Sequence, residues 1–395
     1  MKYIFQTGHG KGLAKAELQA VHGNDCILDE VDDGFVVETE LTDPIAHLNR
    51  LGGVVRITEI LQSGSVNMPL NFEEWVVKGV DAGLEKKEGK IRYGVSMHPK
   101  SEGVLTKILK NSKNRLKEDL GSNVRFVNKD FQNLSSVQAW HENLLAPGAV
   151  ELHLFKSDTK WYMVKTVAIQ DFESYSYRDY DRPARSAKNG MFPPKVAQEL
   201  INLAVGTMVP TDKFCIYDPF CGSGTVLQEA WLMGFSTQGS DLSMQCVADT
   251  KENMDWIKAE GQLEGPPYVF EKDALDLTKK DLPEGPFAIV SETTLGPILT
   301  KPLPEAELLQ VHAELQGLYD GFFANLKKIA PKGTIMVFTA PYHRVGGDRL
   351  FLEHLPEILA EHTEIIPLSD HARPSLFFER KDQLVSREIW KVRIV

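Results

Sequence analysis

Asp218-Pro-Phe-Cys-Gly-Ser-Gly-Thr225 places an acid and a glycine-rich turn between a predicted strand and a predicted helix, and its reading decides the fold. Before it runs Lys213-Phe-Cys-Ile-Tyr217, an apolar strand-like run. After it, Val226-Leu-Gln-Glu-Ala-Trp-Leu-Met233 has helical apolar spacing. A turn so placed lies at the carboxyl end of a strand, where α/β sheets bind nucleotide-like ligands. Gly222 and Gly224 allow backbone angles and a close approach that a Cβ would block, so main-chain N–H groups can face a ligand.

The surrounding residues narrow the ligand. A dinucleotide fingerprint needs a third glycine where Leu227 stands, and a P-loop needs Lys and then Ser or Thr after the second glycine; neither occurs. The next strand-like run, Phe235-Ser-Thr-Gln-Gly-Ser240, ends in Asp241, about twenty residues beyond the turn, the usual step to a carboxylate that binds a ribose diol. A further predicted strand, Tyr268-Val-Phe-Glu-Lys272, ends in Asp273-Ala274. Acids at three successive strand ends suit S-adenosyl-L-methionine, whose methionine part is cationic. Helix capping and turn formation account for single acids equally well, so both readings stand at this point.

With 42% hydrophobic and 25% charged residues over 395 positions, the chain has the composition of an ordinary soluble protein with room for two or three domains. The start, Met1-Lys-Tyr-Ile-Phe-Gln-Thr-Gly8, has no apolar signal core, and no stretch nears the roughly 18 apolar residues of a membrane span. Cytoplasmic residence without a membrane partner is the expectation. Cys26, Cys215, Cys221 and Cys246 form no C-x-x-C pair, so neither a disulfide framework nor a zinc cluster is indicated, and no metal is expected.

A net charge of −11 argues against unspecific adhesion to nucleic acid, so any basic surface has to be local. Residues 100–129 carry Lys107, Lys110, Lys113, Arg115, Lys117 and Arg125. On a helix over 104–120, Leu105, Ile108, Leu109, Leu116 and Leu120 share one arc, and Lys110, Lys113 and Lys117 line up beside it. Such a stripe fits RNA phosphates and fits a solvated helix face.

Residues 1–65 read as a small α+β domain and 66–170 as a second, closing on a hairpin of strands 150–156 and 160–169. The segment 171–190, rich in Tyr, Arg and Ser without apolar periodicity, reads as a linker. From 191 to 395 strands and helices alternate, then end in strand-like runs at 363–368, 375–380 and 387–394 with no helix between the last two. This predicts an α/β domain: a parallel sheet finished by an antiparallel hairpin, the Rossmann-like arrangement of methyltransferases.

Four runs carry a family resemblance: Tyr177-Arg-Asp-Tyr-Asp-Arg-Pro183, Met191-Phe-Pro-Pro-Lys-Val-Ala-Gln-Glu-Leu-Ile-Asn-Leu-Ala204, the turn at 218–225, and Arg380-Lys-Asp-Gln-Leu-Val-Ser-Arg-Glu-Ile389. The chain resembles the THUMP-type tRNA guanine-N2 methyltransferases, closely over 160–395 and more loosely over 1–160, where a ferredoxin-like and THUMP-like region is implied. The resemblance implies that Asp218, Pro219, Phe220, Gly222, Gly224 and Thr225 cradle the methionine part of S-adenosylmethionine. It also implies that Asp241 and Leu242 meet the ribose, and Asp273 and Ala274 the adenine.

The family's catalytic loop, Asp-Pro-Pro-Tyr-Gly, corresponds here to Glu292-Thr293-Thr294-Leu295-Gly296. The carboxylate persists one methylene longer, while Leu295 has no π face, forgoing roughly 1–3 kcal/mol of base stacking. The expected activity is methylation of an exocyclic amine, guanine N2, of a tRNA base. Lys107, Lys110, Lys113 and Lys117 are the expected RNA contacts in the N-terminal half, with Arg380 and Lys381 near the target. Charge on an edge strand that discourages sheet pairing is the other reading of Arg380 and Lys381. A DNA amino-methyltransferase and a non-catalytic, cofactor-retaining RNA-binding protein remain open, as do a small activating subunit and the oligomeric state. A cysteine mechanism does not, because residues 291–297 hold no thiol.

Overall fold

The computed structural model describes every residue except 9, 87–88, 122, 186–191, 261–266 and 381–382. The chain divides into two compact units, Met1–Phe172 and Glu173–Val395.

The first unit is built from β1 (Lys2–Thr7), α1 (Lys11–His22), β2 (Ile27–Val31), β3 (Gly34–Glu38), α2 (Pro44–Arg50), β4 (Val54–Ser65) and α3 (Phe72–Gly83). There follow β5 (Ile91–His98), α4 (Glu102–Leu120), β6 (Val124–Phe126), α5 (Ser136–His141), β7 (Ala149–Lys156) and β8 (Lys160–Ile169). All eight strands join one sheet in the order β2-β3-β1-β4-β8-β7-β5-β6. The sheet therefore runs on through position 65, since β4 pairs antiparallel with β1 on one side and with β8 on the other. The expected hairpin of β7 and β8 is present, closed by Ser157 N–H donating to the Lys160 carbonyl. At the centre, Arg56 of β4 is buried and faces the buried Glu151 of β7 at 3.3 Å, and Glu151 also accepts from Thr166 of β8 at 2.8 Å. The leucine arc of α4 packs as expected: Leu105, Ile108, Leu109 and Leu116 are all buried.

Residues 172–180 form helix α6 (Phe172–Tyr180) inside the segment expected to be a linker. Its apolar periodicity is weak because polar anchors hold it. Arg178 makes a two-pronged ion pair with Glu229, through Nε at 2.7 Å and Nη2 at 3.2 Å, and Tyr175 donates to Gln198.

The second unit continues with α7 (Pro194–Val205), β9 (Cys215–Asp218), α8 (Thr225–Leu232), β10 (Ser236–Asp241), α9 (Met244–Glu260), β11 (Tyr268–Glu271), β12 (Phe287–Glu292) and α10 (Glu305–Ile329). It ends with β13 (Ile335–Val345), β14 (Asp348–Phe351), α11 (Leu355–His362), β15 (Thr363–Ile365), β16 (Leu376–Phe378) and β17 (Val385–Ile394). The main sheet has the order β11-β10-β9-β12-β13-β17-β15. Strands β9 to β13 are mutually parallel, and β17 runs antiparallel between β13 and β15. This is the expected α/β fold with antiparallel closure. Strand β9 is buried at every position, as a strand covered by helices on both faces must be.

One local expectation fails. Residues 351–361 read as a helix, but Asp348–Phe351 is a strand returning along β13, and α11 starts only at Leu355. Gly346 and Gly347, at φ 60° and 100°, supply the left-handed pair that a two-residue hairpin turn requires. Among the described residues no helix is long and apolar enough to cross a membrane.

Candidate active site

The parallel part of the sheet changes direction at β9. From there the chain steps outward through β10 to β11, then returns to lay β12 on β9's other side. Ligands of doubly wound sheets bind in the crevice at the carboxyl ends flanking such a reversal. Asp218 ends β9, Asp241 ends β10 and Glu292 ends β12, so three predicted acids share one edge.

The turn after β9 is shaped as its glycines require. Gly222 has φ 53°, and Gly224, which opens α8, has φ 86° with Thr250 so close that a Cβ would fall 2.8 Å from it. Thr250 Oγ1 donates to the Gly222 carbonyl at 2.7 Å, fixing the loop from behind. Asp241 takes main-chain N–H groups on both oxygens, Gly222 on Oδ2 and Ser243 on Oδ1, each at 2.9 Å. A carboxylate offers about four lone-pair sites, so acceptors remain for a ribose diol. Leu242 beside it is 68% exposed, giving the rim an apolar surface. Pro219 and Thr225 are buried within the turn, and Phe220 stands edge-on to Phe322 at 5.2 Å. Asp273 caps a short turn by accepting Leu275 N–H at 2.9 Å, with Ala274 buried beneath.

Electrostatics set the acids apart. Burial raises Asp218 to about 7, against hydrogen bonds from Ser291 Oγ at 2.6 Å and Phe220 N–H at 3.0 Å that favour its charged form. Both bonds go to Oδ1, and no donor among the described residues reaches Oδ2. Burial also raises Glu292, and Arg387 opposes the rise by donating Nε–H to Oε1 at 2.5 Å. The Cys221 thiol is pushed well above its ordinary value by burial, which makes it a packing group and a poor nucleophile.

The loop after β12 divides into an inner and an outer side. Thr293 is buried, donating to the Thr339 carbonyl at 2.6 Å and accepting from Tyr319 Oη at 2.5 Å. Thr294 and Leu295 are half-buried. Gly296 has φ 87° and closes the loop against Val311.

Three polar residues of the site were not predicted. Arg387 on β17 is buried and holds Glu292. Asn253 on α9 binds the Ala184 N–H and carbonyl and the Ser223 carbonyl, each at 2.9 Å, so residues 182–184 form a strap tied to the glycine turn. Arg182 on that strap is 2% exposed and donates Nη1–H to Thr225 Oγ1 at 2.6 Å. The run containing Arg182 carried the family resemblance, but nothing in its spacing pointed to a cofactor turn 43 residues away.

Of the expected RNA contacts, Arg380 is exposed beside the Phe378 ring at 5.8 Å, while Lys381 lies outside the described residues. In the first unit, Lys107, Lys110 and Lys117 are exposed on α4. The ammonium groups of Lys110 and Lys113 lie over the Phe131 and Phe126 rings at 5.2 and 5.3 Å.

No protein-family profile matches the chain. Among curated proteins it is similar to the tRNA (guanine(10)-N2)-dimethyltransferase of Methanothermobacter thermautotrophicus, at 32% identity over 105 residues covering 24% of this chain and 30% of that one. The enzyme of the same name from Pyrococcus abyssi is 30% identical over 117 residues, 29% of this chain and 32% of that one. The match thus spans about a third of each curated relative's length. Among solved structures, TrmN from Thermus thermophilus shares the fold at TM-score 0.52 and 14% identity, with 100% of both chains covered.

Proposed function

We propose that this chain is an S-adenosylmethionine-dependent RNA methyltransferase acting on an exocyclic amine of a tRNA base, guanine N2. The convergence of Asp218, Asp241 and Glu292 on the glycine turn at the sheet's reversal carries the reading. The donor set fits the cofactor. Asp218 offers an open oxygen to an ammonium group, Asp241 has acceptors to spare for a ribose, and a Cβ at Gly222 would meet nothing nearer than 4.0 Å, so the main chain there is open to a ligand.

When bound, the cofactor supplies a methyl group on a sulfonium, which leaves as a neutral thioether. Little acid catalysis is required of the chain, so its residues act by positioning. Glu292, with Oε1 committed to Arg387, turns its other oxygen to an amine hydrogen and so aims the nitrogen lone pair. Leu295 supplies apolar cover where an aromatic ring would stack on the base. Arg387 works against the rise that burial gives Glu292 and so favours its charged, accepting form.

The test is transfer of labelled methyl from S-adenosylmethionine to bulk tRNA, followed by digestion to nucleosides. Label in N2-methylated guanosine is the expected result. Glu292→Gln should lower transfer on the order of a hundredfold with cofactor affinity nearly intact, and Leu295→Tyr should raise it. A wild type and a Leu295→Tyr variant that both bind cofactor and tRNA yet label no nucleoside would overturn the enzyme reading in favour of a binding protein.

A further inference from the structure

The acids described above account for the positive parts of a bound S-adenosylmethionine. Its methionine portion also ends in a carboxylate, which an acid-lined rim repels unless a cation stands beside it. Arg182 has the required properties. It is 2% exposed, sits against the first residue of α8, and among the described residues has one hydrogen-bond partner, the neutral Thr225 hydroxyl on Nη1. Nε and Nη2 are buried without any partner. Leaving charged donors unsatisfied in a protein interior is costly, so a site that tolerates it is built for a missing acceptor.

The geometry of these two donors selects the acceptor. Nε–H and Nη2–H form one edge of the guanidinium, the edge that grips a carboxylate with two parallel bonds. Two other arginines of this unit use the same edge in that way, Arg178 on Glu229 and Arg373 on Glu388. Arg182 presents the identical fork with no carboxylate in it. The strap places this fork at the glycine turn, because Asn253 ties Ala184 to Ser223, while the neighbouring N-terminus of α8 adds its own preference for an anion.

We propose that Arg182 receives the α-carboxylate of S-adenosylmethionine through a two-pronged Nε–H and Nη2–H contact, making residues 182–184 part of the cofactor site. This rests on the cofactor reading above.

Calorimetric titration with S-adenosylhomocysteine, its decarboxylated analogue and 5′-methylthioadenosine separates the two. Wild type should prefer S-adenosylhomocysteine over the decarboxylated analogue by roughly ten- to a hundredfold, the size expected of a charged two-pronged contact. Arg182→Gln should abolish that preference while keeping wild-type affinity for 5′-methylthioadenosine, and Arg182→Lys should retain part of it. Equal wild-type affinity for the carboxylated and decarboxylated ligands overturns the proposal alone, even if the variants fail to fold. So does an Arg182→Gln variant that weakens all three ligands alike. A wild type that binds none of the three overturns the cofactor reading and this proposal with it.

Discussion

Arg387 and Glu292 stand 95 residues apart in the chain, and the Arg387 guanidinium holds the Glu292 carboxylate at 2.5 Å. The antiparallel course of β17 makes this contact. Because β17 runs against β13, its first residues lie at the edge where the parallel strands end, with Arg387 opposite Pro341 just beyond the Glu292–Thr339 pairing. Run the other way, β17 would have brought its far end to the site.

Removing the arginine alone should therefore cost more than removing the pair. Arg387→Gln leaves a largely buried carboxylate without its cation, an expected loss of about 2–3 kcal/mol in denaturant unfolding. Glu292→Gln combined with Arg387→Gln should recover at least half of it. Additive losses in the double variant would show that the two side chains act independently.

Asp218 makes stability and cofactor affinity depend on pH in opposite senses. Its pKa rises from 3.8 unfolded to about 7 folded, so the native chain holds a proton that the unfolded chain has released. Its contribution to stability thus falls as pH climbs from about 4 to about 7 and is level above. The stability difference between wild type and Asp218→Asn should trace that fall. An ammonium group favours the ionised acid, so S-adenosylmethionine binding near pH 6 should release a proton, measurable by calorimetry in buffers of different ionisation enthalpy. Binding that releases none would separate Asp218 from the ammonium.

Asp241→Ala should weaken S-adenosylmethionine by roughly 1–3 kcal/mol through loss of the ribose acceptor. It also strands the Gly222 and Ser243 N–H groups, so thermal unfolding should accompany the binding measurement. Unchanged affinity would remove Asp241 from the site.

Replacing Lys110, Lys113 and Lys117 together by Gln should lower tRNA affinity and flatten its salt dependence by up to about three phosphate contacts. The slope of log affinity against log salt is the readout. An unchanged slope would return α4 to the role of a solvated face.

What the sequence disclosed was whatever depends on neighbours in the chain. The strand–turn–helix at 213–233 exposed the glycine turn and its acids. Pairings across long separations left no such trace. Arg182, Asn253 and Arg387 acquire their roles only when Thr225, Ser223 and Glu292 arrive beside them in space. Helix α6 escaped for the same reason, since buried ion pairing replaces the apolar spacing by which helices are recognised. The merging of 1–65 and 66–170 into one sheet turned on β4 choosing β8 as its partner, a choice no local pattern records.

That choice orders events on the ribosome. Strand β4 leaves the exit tunnel early, yet Arg56 meets Ile169 and Ser65 meets Lys160 only after the intervening helices and strands have been made. Through that interval the nascent chain carries an open strand edge, and Arg56 has no Glu151 to pair with. Completion of this unit is thereby tied to one late hairpin, and translation pausing before residue 149 would prolong the period in which a chaperone, or another copy, can occupy the edge of β4 instead.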